Sequence, residues 1–145
     1  MPKVDIYHDV VKRALVKDGW IITHDPFPLP IGHKRLYVDL GANRLISAEK
    51  GSCRVAIEIK SFLSASDVHD LELALGQYVL YSKILNRVEP SRILYLAVPQ
   101  FAFDETFQIE IGTILLEDQT VRLVVFEVEK EIITQWIPSW TSENS

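Results

Sequence analysis

The stretch Arg54–Phe62, "RVAIEIKSF", decides how the fold is read. Val55, Ile57 and Ile59 alternate with Ala56, Glu58 and Lys60. In a strand this period of two puts the first three on one face and the second three on the other. The next run, "DVHDLELALGQYVLYSKIL" from Asp67 to Leu85, has the pattern of an amphipathic helix. Ser64 to Asp67 supply helix-start chemistry, and Leu71, Leu75, Tyr78, Val79 and Leu85 form the expected core face. Beyond it "RILYLAVP", Arg92 to Pro99, is a nearly continuous apolar run of strand length, as expected of a strand covered on both faces. Strand, helix and strand in that order imply a right-handed crossover and parallel pairing. A strand feeding a crossover belongs in the middle of its sheet. Glu58 and Lys60 on the face of such a strand therefore call for a reason.

Outward from that centre the elements are weaker. The spacing of Ile6, Val10, Val11, Ala14 and Leu15 predicts a helix over Val4 to Lys17, stopped by Gly19. "WIIT", Trp20 to Thr23, reads as a short strand. Pro26, Pro28 and Pro30 force an extended, non-helical connection. "RLYVDLGA", Arg35 to Ala42, reads as one strand, and "NRLISAEKGS" as a further short one ending in a turn at Lys50–Gly51–Ser52. Phe107, Ile111, Ile114 and Leu115 suggest another helix, and "VRLVVFEVE", Val121 to Glu129, a last strand. The tail "WIPSW" is expected to dock through Trp136 and Trp140, with residues 141–145 frayed. The expected order is α-β-β-β-α-β-α-β, an α/β mixed sheet flanked by helices, in one domain over residues 1–140.

Bulk properties fit that size and class. The chain has 145 residues, 48% of them hydrophobic and 24% charged, which suits one globular unit with one core. No apolar run approaches the roughly 20 residues that span a bilayer, and the charged N-terminus shows no secretory leader. One cysteine, Cys53, cannot form an internal disulfide. A cytoplasmic setting without membrane partners is the expectation. The net charge of −5 argues against indiscriminate coating of nucleic acid. The charge is uneven: His33 to Arg54 holds five bases (Lys34, Arg35, Arg44, Lys50 and Arg54) against two acids, while Asp104 to Glu131 holds eight acids against two bases. The basic segment is the one expected to meet phosphates.

Asp39 and Glu58 lie on the polar faces of two predicted strands. If these strands pair, the carboxylates share one side of the sheet. Two carboxylates in a partly dry site repel each other and are relieved by a proton or a divalent cation. Magnesium takes oxygen ligands and typically one or two protein carboxylates. Lys60, on the same face two residues beyond Glu58, could orient a water or hold a phosphate oxygen. These are the parts for metal-assisted hydrolysis of a phosphodiester. The bland alternative is a Glu58–Lys60 or Asp39–Lys60 ion pair on a solvated face. Gln77 and Tyr81, four apart, share a helix stripe, with Asp70 near it, and could hydrogen-bond a site carboxylate or a phosphate.

"YVDLGA", "AIEIKSF" and a helix with "GQYVLY" resemble the PD-(D/E)xK nuclease superfamily, the restriction-endonuclease-like fold. Over nearly its whole length the chain more specifically resembles the XisH family, the fdxN-element excision controlling factors of cyanobacteria. The superfamily likeness implies Asp39 and Glu58 as Mg²⁺ ligands, with the Ile59 carbonyl as a third, and Lys60 as the catalytic lysine. Gln77 and Tyr81 match the Q-x-x-x-Y helix motif of one branch. It also raises Asp5 or Asp9 as an acidic residue contributed by the first helix. Val38 stands where the motif's proline would be. The family likeness implies control of DNA element excision during heterocyst differentiation, with DNA, a site-specific recombinase and a XisI-type protein as partners, and leaves room for a homo-oligomer. The rival expectation is a non-catalytic regulator that uses a nuclease-like scaffold to bind its partner. A weaker third is one subunit of a toxin–antitoxin-like pair whose partner masks the site.

Overall fold

The computed structural model describes residues 5–47 and 51–139. It contains α1 (His8–Lys17), β1 (Ile21–His24), β2 (Phe27–Ile31), β3 (Lys34–Val38), β4 (Leu40–Ser47), β5 (Gly51–Ile59), α2 (Asp67–Val88), β6 (Arg92–Pro99), α3 (Gln100–Ala102), a π-helical turn (Phe103–Phe107), α4 (Glu110–Glu117), β7 (Leu123–Glu127) and β8 (Ile132–Ile137). The main sheet has the strand order β1-β4-β5-β6-β7-β8. The pairs β5–β6 and β6–β7 are parallel, and the other three are antiparallel. The protein is thus a mixed α/β fold with a mixed sheet flanked by helices, and the opening strand, β5, is central.

The two faces of β5 meet different cores. Val55, Ile57 and Ile59 pack with Val11 and Leu15 of α1, together with Trp20, Tyr95, Phe126 and Trp136. Ala56 packs on the opposite side with Leu71, Ala74 and Tyr78 of α2, and with Phe27, Leu29 and Val38. β6 is buried on both faces, as its unbroken apolar run implies. Ser66 caps α2 by accepting the His69 N–H at 3.1 Å.

Several elements depart from the sequence reading. α1 begins at His8, and Ile6 before it is exposed. The run Arg35 to Ala42 is two strands broken at Asp39. Its first half pairs with the proline-rich segment as a separate two-stranded ribbon, β2–β3, while its second half opens β4. Local alternation continues unbroken through Asp39, so periodicity alone cannot reveal the change of sheet. β4 runs on through Ser47, which absorbs the extra strand expected there. Gly51 and Ser52 begin β5 instead of closing a turn, and Lys50 lies outside the described residues. In α2, Ala74 and Ile84 are buried, whereas Val79 is exposed. Phe107 sits in the π-helical turn, and Ile111 and Ile114 are exposed on α4. Trp136 docks as expected, but from a further strand, β8; Trp140 and residues 141–145 lie outside the described residues. The observed order therefore has more strands than α-β-β-β-α-β-α-β.

Gly41 marks where the ribbon meets the sheet. A Cβ there would lie 2.9 Å from the Phe27 ring and 3.1 Å from His24 Nδ1. Its absence lets Phe27 seat against β4. Arg92 closes the other side of that ring, with its guanidinium 4.5 Å from the ring centre. The same guanidinium donates to Glu89 at 2.6 Å and to the Val55 carbonyl at 3.0 Å.

Candidate active site

Leu40 pairs with Ile57 in the antiparallel register of β4 and β5, which sets Asp39 beside Glu58. Both carboxylates line one cavity of about 520 Å³, with Asp5, Ile6, Tyr37, Ile59, Lys60, Ser61, Leu63, Gln77 and Tyr81. Asp39, Glu58, Ile59, Lys60, Gln77 and Tyr81 are thereby gathered around a single space. They arrive from three places: the bend between β3 and β4, the C-terminal end of β5 and its exit, and the middle of α2.

Asp39 Oδ2 accepts the Ile59 N–H at 2.7 Å. Lys60 Nζ lies 3.9 Å from Glu58 Oε2, a long and partly exposed ion pair. Glu58 is 6% exposed, and its Oε1 has no hydrogen-bond partner. Gln77 Oε1, in the same wall, is likewise buried without one. Buried acceptors left unpaired are costly, so two of them facing one cavity mark a place built for something that donates to or coordinates oxygen. Burial raises the Glu58 carboxyl to about 8, and the neighbouring Asp39 pushes in the same direction against Lys60. Burial also raises Asp39, opposed chiefly by the Ile59 N–H and then by His8. Of the two acids, Glu58 is the one held more strongly toward its neutral form. Burial and the two carboxylates raise the Tyr81 hydroxyl.

This donor set fits a hard divalent cation. Among the described residues no group of three or more His, Cys, Asp or Glu side chains could hold a metal. An ion here would rest on Asp39, Glu58 and the Ile59 carbonyl, with water completing the shell, which is the sparse protein ligation magnesium accepts. Of the two acids near the first helix, Asp5 lines the cavity, with Oδ1 accepting the Tyr7 N–H at 2.9 Å. Asp9 lies on the outer side of α1 near Lys12 and Arg13. Asp70 is not in the cavity wall; it accepts the Ser64 N–H at 3.2 Å. The sequence reading missed Tyr37, because its strand belongs to the ribbon. It also missed His8, which is buried and bonded to Asp25 at 2.7 Å.

The basic segment does not form one patch. Arg44 lies 3.7 Å from Asp18 and over the Trp20 ring, and Arg54 binds Ser91 at 2.7 Å beside Glu89. Lys34 and Arg35 stand exposed on the ribbon. Among the described residues no helix is long and apolar enough to cross a membrane.

A mixed α/β protein with a buried glutamate, a half-buried aspartate beside it and a lysine at the end of its central strand is the class that this geometry defines. The family model described as "XisH protein" matches residues 1–134. The chain is similar to the crystal structure of an XisH family protein from Nostoc punctiforme PCC 73102, at 39% identity and TM-score 0.81, covering 92% of this chain and 99% of that one. It is similar to an fdxN element excision controlling factor protein from Anabaena variabilis at 40% identity and TM-score 0.81, with the same coverage. The comparison with curated proteins finds no match. The chain belongs to the XisH family.

Proposed function

We propose that the chain acts in the excision of a DNA element as a Mg²⁺-dependent nuclease of the PD-(D/E)xK, restriction-endonuclease-like class. What carries the reading is the unpartnered Glu58 Oε1 in a cavity shared with Asp39, Lys60 and Gln77. Asp39, Glu58 and the Ile59 carbonyl would hold the ion, which when bound supplies Lewis acidity at the scissile phosphate and eases deprotonation of water. The Lys60 ammonium, on the Glu58 side, positions the attacking water and offsets charge building on the phosphate. Gln77 and Tyr81 line the same space and would bring an amide and a hydroxyl to the site. The Ile59 N–H fixes the Asp39 carboxylate in place before substrate arrives. The role in excision is supported by the likeness to the Anabaena variabilis protein. Cleavage of plasmid and branched DNA with Mg²⁺ tests the reading. Glu58→Ala and Lys60→Ala are each expected to lower the rate about 100-fold or more. Equal activity in wild type and both variants removes the nuclease.

A second reading is a non-catalytic regulator that binds a XisI-type partner or a recombinase. The exposed apolar residues Ile6 and Leu63 at the cavity rim favour it, since a partner seated there would cover both. A stable complex with such a partner, together with no Mn²⁺ binding by calorimetry, selects this reading over the first.

A further inference from the structure

The β2–β3 ribbon stands beside the cavity and turns a distinctive face outward. Phe27, Leu29 and Val38 anchor it in the core under α2. The alternate residues pair across the ribbon as Pro28 with Tyr37 and Pro30 with Arg35, so these four share the other face. Tyr37 lines the cavity that holds Asp39 and Glu58. Arg35 is one step further on the same face, roughly 7 Å along the strand. Lys34 follows at the exposed tip. From Phe27 to Val38 there is no acidic residue, in a chain of net charge −5. Lys34 and Arg35 make no ion pair among the described residues, unlike Arg44 and Arg54. Pro28 and Pro30 have fixed φ and no N–H, so the ribbon is stiff and one of its edges is poor at recruiting another strand. A rigid basic track leading directly away from a phosphodiesterase cavity is chemically suited to a polyanionic strand.

We propose that the ribbon, through Tyr37 and Arg35 on its outer face and Lys34 at its exposed tip opposite Ile31, guides one strand of DNA away from the cavity by holding its successive phosphates. The identity of the strand in the cavity rests on the nuclease reading; the charge and geometry of the track do not. The test is fluorescence anisotropy of a labelled DNA duplex with the full chain in EDTA, titrated between about 50 and 200 mM salt. A Lys34→Gln/Arg35→Gln double variant is expected to lower the slope of log K against log salt by about two units. It should also weaken binding at low salt about tenfold. An Arg44→Gln/Arg54→Gln variant should keep the wild-type slope. Both altered pairs are at the surface, and unchanged melting temperatures confirm that folding is intact. An unchanged slope in the ribbon variant, an equal fall in both variants, or no binding by wild type overturns the proposal. Cleavage measured in parallel with Mg²⁺ separates the two readings. If wild type never cuts but the ribbon carries the slope, the nuclease falls and the guide stands. If it cuts and the slope ignores the ribbon, the guide falls alone.

Discussion

Glu58 is the residue at which folding and the proposed chemistry oppose each other. Its carboxyl sits at an ordinary 4.5 when exposed and at about 8 in the folded protein, because burial and Asp39 disfavour its charge. Between those two values the folded chain binds more protons than the unfolded one. Stability of the metal-free protein therefore falls as pH rises through that window. The slope from this group is at most about 1.4 kcal/mol per pH unit. Glu58→Gln carries no such proton, so its melting temperature in EDTA is expected to exceed that of wild type at pH 8 and to approach it near pH 5. Parallel pH profiles for the two proteins would show that Glu58 is not the buried acid responsible. On the proposed function a divalent ion would displace the proton and relieve the repulsion, so Mn²⁺ should raise the wild-type melting temperature more at pH 8 than at pH 6.

At the scale of elements, α4 is fitted to the π-helical turn before it through a missing side chain. A Cβ on Gly112 would fall 2.2 Å from the Thr106 carbonyl oxygen and 2.5 Å from the Phe107 Cα, both backbone atoms that cannot swing away. Gly112→Ala must push α4 off this turn, and a loss of about 1–3 kcal/mol is expected from overpacking. Urea denaturation measures it, and a neutral result would show that α4 can shift freely. Such contacts are invisible in a sequence, where Gly112 resembles any helix-weakening glycine. Elements with one strong period were legible. β5 and β6 follow from their apolar alternation and run, and α2 from its stripe and its Ser66 cap. The ribbon was not, because its strand runs through Asp39 without a break in pattern, and the pairing of β2 depends on partners that periodicity does not name. The grouping of Asp39, Glu58, Lys60, Gln77 and Tyr81 could be anticipated because each lies on or beside one of the legible elements. His8 could not, since neither pattern nor spacing ties it to β5; Tyr37 falls on the Asp39 face of the expected strand Arg35 to Ala42, but nothing in its type or spacing gave it a role.

Across the whole molecule, the residues around the cavity come from the part of the chain that ends at Tyr81, while the two cores also draw on β6, β7 and β8. α1 closes one face of the sheet, and α2 and the ribbon close the other. The last ribbon pair is Phe27 with Val38 and the first pair of the next sheet is Leu40 with Ile57, so Asp39 is one of two short links between separately bonded sheets, the other being Asp25–Pro26 between β1 and β2. Asp39 follows Val38 directly, so a load on β3 bears on that carboxylate's backbone. Loosening the middle of the ribbon with Leu29→Ala, at a residue fully buried and outside the cavity wall, is then expected to weaken Mn²⁺ binding severalfold by calorimetry without loss of the helical signal in circular dichroism. Undiminished affinity would mean that the Ile59 N–H alone secures the acid. On the proposed function, a strand gripped by the ribbon would pull on the backbone that carries one acid of the pair, so its capture and the readiness of the ion site would be mechanically coupled.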